Sequence, residues 1–369
     1  MKFTYFFKYK KLISNLLIFI IIFYLLIHSK LLIASISSSI NLFIYKLIPA
    51  LFPYLLITEF LINSGKITTL SYGLSNIFAK IFRVPANTTS AIIIGFLLGY
   101  PNSAKYILKL YEQKKINNDL ATKLISFTSN ANMSYIIATV GISMFNSIWF
   151  GIILTLSHFL SAIIIGIFLT PSYNNSIIQQ TSANSNSFEK IYSPFEILYI
   201  SIQGALKTLA FIFAYTVIFS LIPTVIFYNL KLPQTLHAVI LGIFEISNGI
   251  NSLSLLNIST TLKLILVSFT LSFSSLMILL QIFTYAFKAN IKFKDLLKYK
   301  LLQGIISSFL TYLIYNYIPS PTLTVFNNLD VFNTVYNIAP SAIYMLSIII
   351  TITLSLFLFR KKRQGKPVA

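Results

Sequence analysis

The fold class predicted by this sequence is an all-α polytopic membrane protein, and three observations predict it. Apolar residues make up 56% of the 369, charged residues only 10%, and the mean hydropathy is +0.80. A soluble domain carries about 25% charged residues, because its surface must face water. Several windows run past the ~18 apolar residues that mark a bilayer span. The 28 Lys and Arg, against 8 Asp and Glu, are scattered between apolar segments. That scatter fits positive charge in cytoplasmic loops and excludes a nucleic-acid-binding face.

Hydrophobicity places eight spans at about 12–27, 47–64, 120–146, 150–170, 196–222, 262–287, 301–318 and 338–359. Lys2, Lys8, Lys10 and Lys11 precede the first, Leu12–Ile27. His28-Ser29-Lys30 offers no small-x-small cleavage site, so an uncleaved span is expected there. Pro49 and Pro53 are expected to kink the second span, with Glu59 near its inner end and Lys66 beyond. Trp149 is placed as an anchor at the outer interface. The stretch 171–194 is rich in Ser, Asn and Gln and nearly uncharged, which reads as a linker between two halves.

Two apolar stretches are too short to cross. Ala91–Tyr100 runs into Pro101-Asn102-Ser103-Ala104-Lys105, and Ala238–Ile246 carries Glu245 and runs into Ser247-Asn248-Gly249. Polar, Gly- and Pro-containing backbone at membrane depth survives only against protein or water. The segments 88–115 and 236–258 are therefore predicted to be re-entrant helical hairpins with polar tips.

Charge supports this arrangement. With the N-terminus inside, the inner segments hold 23 Lys and Arg, including the groups Lys105–Lys123 and Lys288–Lys300 and the tail from Arg360. The outer side holds Lys30, Lys46, Lys231 and Lys263. A full crossing at 88–101 would push the Lys105–Lys123 group outside. Both termini are thus expected in the cytoplasm. The hairpins also recur in matching contexts. Ile94-Gly95-Phe96 resembles Leu241-Gly242-Ile243, 147 residues on, and Ser126-Phe127-Thr128 matches Ser268-Phe269-Thr270, 142 residues on. Three crossings between the repeats make them inverted across the membrane.

Enzyme chemistry is not expected. His28, His158 and His237 stand alone, the acids do not pair at helical spacing, and no phosphate loop or nucleophile elbow occurs. With no cysteine there is no thiolate metal site or cysteine nucleophile. No catalytic residue, cofactor or metal ligand is assigned. His158, near Ser157 and Ser161, reads as a hydrogen-bonded packing histidine.

Polar groups at membrane depth are the candidates for solute binding. Ser126, Asn130 and Ser134 fall at i, i+4 and i+8 of one span, with Asn132 beside them. Ser268, Ser272 and Ser275 take the equivalent face in the second half, and helix–helix hydrogen bonding is the competing role for such hydroxyls. At the first tip, Asn102, Ser103 and Lys105 sit at a helix start whose dipole would attract an anion. The second tip combines Glu245, Ser247, Asn248 and Asn251, where Glu245 could hold a coupling cation, take a proton or neutralise a lysine. The expected partners are the lipid bilayer, a small polar or anionic solute, and a proton or sodium ion as coupling ion.

The stretch Ile48-Pro49-Ala50-Leu51-Phe52-Pro53-Tyr54 to Glu59-Phe60, then Phe82-Arg83-Val84-Pro85, then Gly95-Phe96-Leu97-Leu98-Gly99-Tyr100-Pro101 with Lys105, carries a resemblance. Ser126-Phe127-Thr128-Ser129-Asn130 and Val140-Gly141-Ile142-Ser143-Met144-Phe145 extend it. Together they resemble the sporulation integral membrane protein YlbJ family, also called stage V sporulation protein V, strongly from about 45 to 170 and weakly elsewhere. The resemblance implies a nucleoside-recognition gate domain and an architecture similar to concentrative nucleoside transporters. On that basis the chain divides into an N-terminal anchor and interfacial segment (1–46), a first gate-type repeat (47–170), the linker (171–194), a second gate-type repeat (195–318), and a C-terminal helix with basic tail (319–369). The implied role is moving dipicolinate, a dianion, across the outer forespore membrane, with the cell membrane as the other location. A structural or partner-recruiting protein of spore formation, and a nucleoside or ion carrier, are the competing roles.

Overall fold

The structure, a computed structural model, describes residues 27–85, 88–100, 102–170, 193–227, 230 and 232–318. All but Ile27 of the first expected span, nearly all of the linker 171–194, and the last span 338–359 with its basic tail lie outside the described residues. Every regular element among the described residues is helical.

A continuous helix of 35 residues, Ser29–Asn63, opens the described chain. It comprises α1 (Ser29–Leu42), a π turn (Phe43–Leu47) and α2 (Ile48–Asn63). The π turn sits just before Pro49, whose missing N–H cannot serve the carbonyl four residues back, so the register slips by one residue. Pro49 is thereby absorbed within one long helix. Helix α3 (Lys66–Phe82), not foreseen from hydrophobicity, starts after Gly65 at φ +68° and stops at Arg83 at φ +50°.

Two helix hairpins stand where short apolar arms meet polar tips. The first is α4 (Thr89–Leu98) with α5 (Asn102–Glu112). The second, α9 (Gln234–Phe244) with α10 (Ile246–Leu255), is broken at the single residue Glu245. The arms of each pair pack on one another. In the second, an alanine Cβ at Gly249 would lie 2.0 Å from the Cα of Gly242, so two backbones touch there.

Each hairpin is followed by an interrupted helix. In the first half α6 (Asn118–Thr128) stops, and helix resumes after Ser129–Asn132, leading into a π-helical segment (Tyr135–Met144). In the second, α11 (Thr260–Phe273) stops at Ser274, and α12 (Ser275–Ala286) continues. The sequence predicted unbroken spans over 120–146 and 262–287; both are broken mid-way. Consecutive residues Ser274 and Ser275 take φ +74° and +54°, left-handed values that an α-helix cannot pass through.

Long helices complete the fold: α7 (Ile148–Leu169), α8 (Pro194–Phe227) and α13 (Phe293–Tyr317). Among the described residues, four helical stretches are long and apolar enough to cross a membrane: Ser29–Asn63, Ile148–Leu169, Pro194–Phe227 and Thr260–Ala289, the last running through the Ser274 break. Helix α13, over the predicted span 301–318, packs between α11, α7 and α6. The pair α1–α2 packs along α8. There Ser39 Oγ and Ser220 Oγ lie 2.9 Å apart, and Ser35 Oγ and Thr224 Oγ1 3.3 Å apart. Such interhelical bonds are worth ~0.6 kcal/mol each in a bilayer, so they set alignment more than stability.

The sequence matches recur as contacts. A Cβ on Gly95 would lie 2.5 Å from Thr128 Cβ, and one on Gly242 would lie 2.9 Å from Thr270 Cγ2. Each hairpin therefore leans its glycine on the equivalent threonine of the broken helix that follows. That is the physical meaning of the two three-residue matches.

Candidate functional site

The first break brings together a group of buried polar residues. Helix α6 is launched by Asn117, whose side chain accepts from Leu120 N at 2.9 Å, and Asp119 sits in its positive first turn. It ends at Thr128, leaving carbonyls without intrahelical donors. Asn130 Nδ2 donates to Phe127 O at 2.8 Å. The backbone N–H of Tyr100, at the first hairpin tip, donates to Asn130 O at 2.9 Å. On the far side, Asn132 Oδ1 accepts from Tyr135 N at 2.7 Å and starts the next helical segment. One amide closes the break from below and another from above.

Gly99 is required at this junction. It sits at φ +68°, and a Cβ would lie 2.8 Å from Asn130 O and 3.1 Å from Asn132 N. Only a residue without a side chain lets the tip dock this closely.

Helix α13 supplies the charge. Lys300, Gln303, Ser307 and Thr311 fall at i, i+3, i+7 and i+11, on one face, and all are fully buried. The Lys300 ammonium donates to Ser129 O and, at 2.8 Å, to Gln303 Oε1. Gln303 Nε2 donates to Asn130 Oδ1 at 2.9 Å. No carboxylate pairs with Lys300 among the described residues. Lower on the same face, Thr311 Oγ1 donates to Ser268 Oγ at 2.7 Å, and Ser307 Oγ also lies 2.7 Å from Ser268 Oγ.

His158 of α7 joins the two breaks. Its Nε2 accepts from Ala131 N at 3.2 Å, so its proton must reside on Nδ1, which donates to Ser272 Oγ at 2.8 Å. The ring is a neutral structural bridge, in accord with the packing role read from the sequence. Ser129 Oγ and Ser157 Oγ, both buried, have no partner among the described residues.

The second tip is built differently. Glu245 is fully buried, and its carboxylate accepts from Ser247 N at 2.9 Å and Asn248 N at 2.6 Å, capping α10 with its own chain. Ser247 Oγ lies 3.1 Å from Tyr135 OH. Asn248 Nδ2 donates to Ser39 Oγ at 3.1 Å, and Asn251 Oδ1 accepts from Lys46 Nζ at 2.7 Å. Tyr100, Tyr135 and Glu245 lie within electrostatic reach of one another, so the two tips approach beside the first break.

The predicted residues fall into four groups. Asn130, Asn132 and Ser272 line the breaks and the His158 bridge, while Glu245, Ser247 and Asn248 form the second tip. Ser103 bonds Thr128 Oγ1 at 2.6 Å, Ser134 donates to Ala50 O at 2.9 Å, and Ser275 accepts from Ile278 N at 3.5 Å. The first two hydroxyls hold helices together, and the third accepts within its own helix. Asn102 is half-buried at the start of α5, Asn251 is held by Lys46, and Lys105 is exposed within electrostatic reach of Glu59, outside the buried network. Lys300, Gln303, Tyr100 and Tyr135 were not singled out from the sequence. The spacing of Lys300, Gln303, Ser307 and Thr311 was the available signal: a polar stripe along an otherwise apolar helix.

Comparison with known proteins gives one informative match. The chain is 26% identical over 290 residues to the sporulation integral membrane protein YlbJ of Bacillus subtilis (strain 168), covering 70% of this chain and 71% of that protein. No family model matches, and no solved structure matches. This relative accords with the resemblance read from the sequence. The chain is an integral membrane protein similar to the YlbJ family of sporulation proteins.

Proposed function

We propose that this protein is a carrier for a small anionic solute, with dipicolinate crossing the outer forespore membrane as the first candidate. The observation that supports this most is Lys300, a fully buried lysine with no carboxylate partner among the described residues, placed where two broken helices and a hairpin tip converge. An uncompensated buried charge at membrane depth is costly and marks a functional position. An anionic solute would supply the missing negative charge through charge-assisted hydrogen bonds. In this reading the two hairpins are re-entrant, the repeats are inverted, both termini are cytoplasmic, and no catalytic step occurs.

Uptake of labelled dipicolinate into liposomes holding the pure protein is the test. Lys300→Met is expected to lower uptake at least ~10-fold, while Lys105→Met retains it. Folded protein that moves no dipicolinate would remove the proposal. One observation favours a structural or partner-recruiting role instead: Asn130, Glu245 and Asn248 already have partners within the chain. That role predicts silent substitutions at the tips and effects from the loops near 105–123 and 288–300. A nucleoside carrier would reveal itself by nucleoside-dependent thermal stabilisation.

A further inference from the structure

The break after α6 leaves backbone oxygens facing the protein interior at the negative end of a half-helix. Released carbonyls and half-helix C-termini are the oxygen ligands with which interrupted membrane helices hold monovalent cations. Here three backbone oxygens of the break are taken. Phe127 O accepts from the Asn130 amide, and Asn130 O from the Tyr100 N–H. Ser129 O and Gln303 Oε1 converge on a single donor, the Lys300 ammonium. Ser129 also carries a buried hydroxyl that has no partner among the described residues. Gln303 is held in place by its own amide bond to Asn130 Oδ1 at 2.9 Å.

We infer that Lys300 is a tethered cation: its ammonium fills a monovalent-cation site made by Ser129 O and Gln303 Oε1, with Ser129 Oγ available as a third oxygen. The protein therefore needs no sodium ion at this break. Three features carry the assignment. The donor is an ammonium, similar in charge to an alkali ion. Its acceptors are neutral oxygens, a set that suits a monovalent cation better than a divalent one. Its position at the end of α6 is where a helix dipole favours positive charge. A neutral donor would satisfy the same two oxygens without the charge, and the experiment separates the two cases.

This deepens the carrier reading by assigning the cation at its centre, but its test reads thermal stability and not uptake. Purified wild-type protein in detergent is expected to show the same Tm, within ~1 °C, in sodium chloride, potassium chloride or choline chloride of equal ionic strength. Lys300→Ala vacates the ammonium and leaves the oxygens. Its Tm should be low in choline and rise saturably, by roughly 3 °C or more, with sodium or potassium. Lys300→Gln keeps a neutral donor in place and should be indifferent to the cation. Specific stabilisation of the wild type by sodium overturns the inference, as does a Lys300→Ala protein equally stable in all three salts. If Lys300→Ala cannot be extracted folded into choline, extraction in sodium should rescue it; failure in both overturns the inference too. Loss of uptake with these salt effects intact would count against the carrier reading alone.

Discussion

The two hairpins share a glycine leaning on a threonine, at Gly95 with Thr128 and at Gly242 with Thr270, yet their tips are secured in unlike ways. The first tip docks through its backbone on another element: Tyr100 N–H donates to Asn130 O, and Gly99 makes room for the approach. The second tip closes on itself. Glu245 caps α10, and side chains of Ser247 and Asn248 reach out to Tyr135 and Ser39. A solute anion approaching the start of α10 meets a carboxylate already holding the donors it would need. The buried lysine, Lys300, lies with the first half's break. Similar architecture thus does not make the halves equivalent: one presents a buried lysine, the other a buried glutamate.

The largest expected effect tests the second hairpin's close approach. Gly249→Ala places a methyl 2.0 Å from Gly242 Cα, among backbone atoms that cannot yield. It should cost roughly 3 kcal/mol or more, seen as loss of folded protein or a steep fall in Tm in detergent. Gly242→Ala meets mainly a Thr270 methyl at 2.9 Å and should be milder. Equal effects would mean the hairpin arms can part. Next is Gly99→Ala, which combines a left-handed φ with a contact at 2.8 Å to Asn130 O; about 2 kcal/mol is expected by the same measurement. An unchanged Tm would show that the first tip does not dock on the break.

The capping difference gives a smaller effect. Glu245→Ala removes the acceptor for two buried N–H groups and should cost about 2 kcal/mol, with Glu245→Gln losing roughly half as much. If Glu245→Gln is as damaging as alanine, the charge itself holds the tip. Smallest of all, Lys105→Ala should change stability by no more than ~0.5 kcal/mol, because the side chain is exposed. A larger loss would tie Lys105 to the first tip, as its sequence position suggests.

Both hairpins were legible in the sequence because glycine and polar residues interrupt apolar runs too short to cross. Their partnership with the next helix was legible as well, in the Gly95/Gly242 and Thr128/Thr270 matches. The interruptions at Ser129–Asn132 and at Ser274 were not. Serine and asparagine at helical spacing read as one face of a continuous helix, and nothing in Ser274-Ser275 announces two left-handed residues in succession. The amides of Asn130 and Asn132, read as solute contacts, are bound to backbone at the two ends of the break they help create. Lys300 was hidden by its neighbours. Counted with Lys288, Lys292, Lys294 and Lys298 it looks like one more loop lysine, whereas the helix has begun at Phe293 and carries it inward.

The unbroken helix Ser29–Asn63 and its companion α8, of 35 and 34 residues, have a consequence for the surrounding lipid. At 1.5 Å per residue each is about 50 Å long, against a hydrocarbon layer of ~30 Å. Rods of that length must tilt or project into the headgroups, and these two, laced by Ser39–Ser220 and Ser35–Thr224, must do so in concert. Because Asn248 hangs from Ser39, their inclination is coupled to the second tip. Acyl-chain length then becomes a handle on the interior: thinner or thicker bilayers should strain the hairpin without any change to the protein.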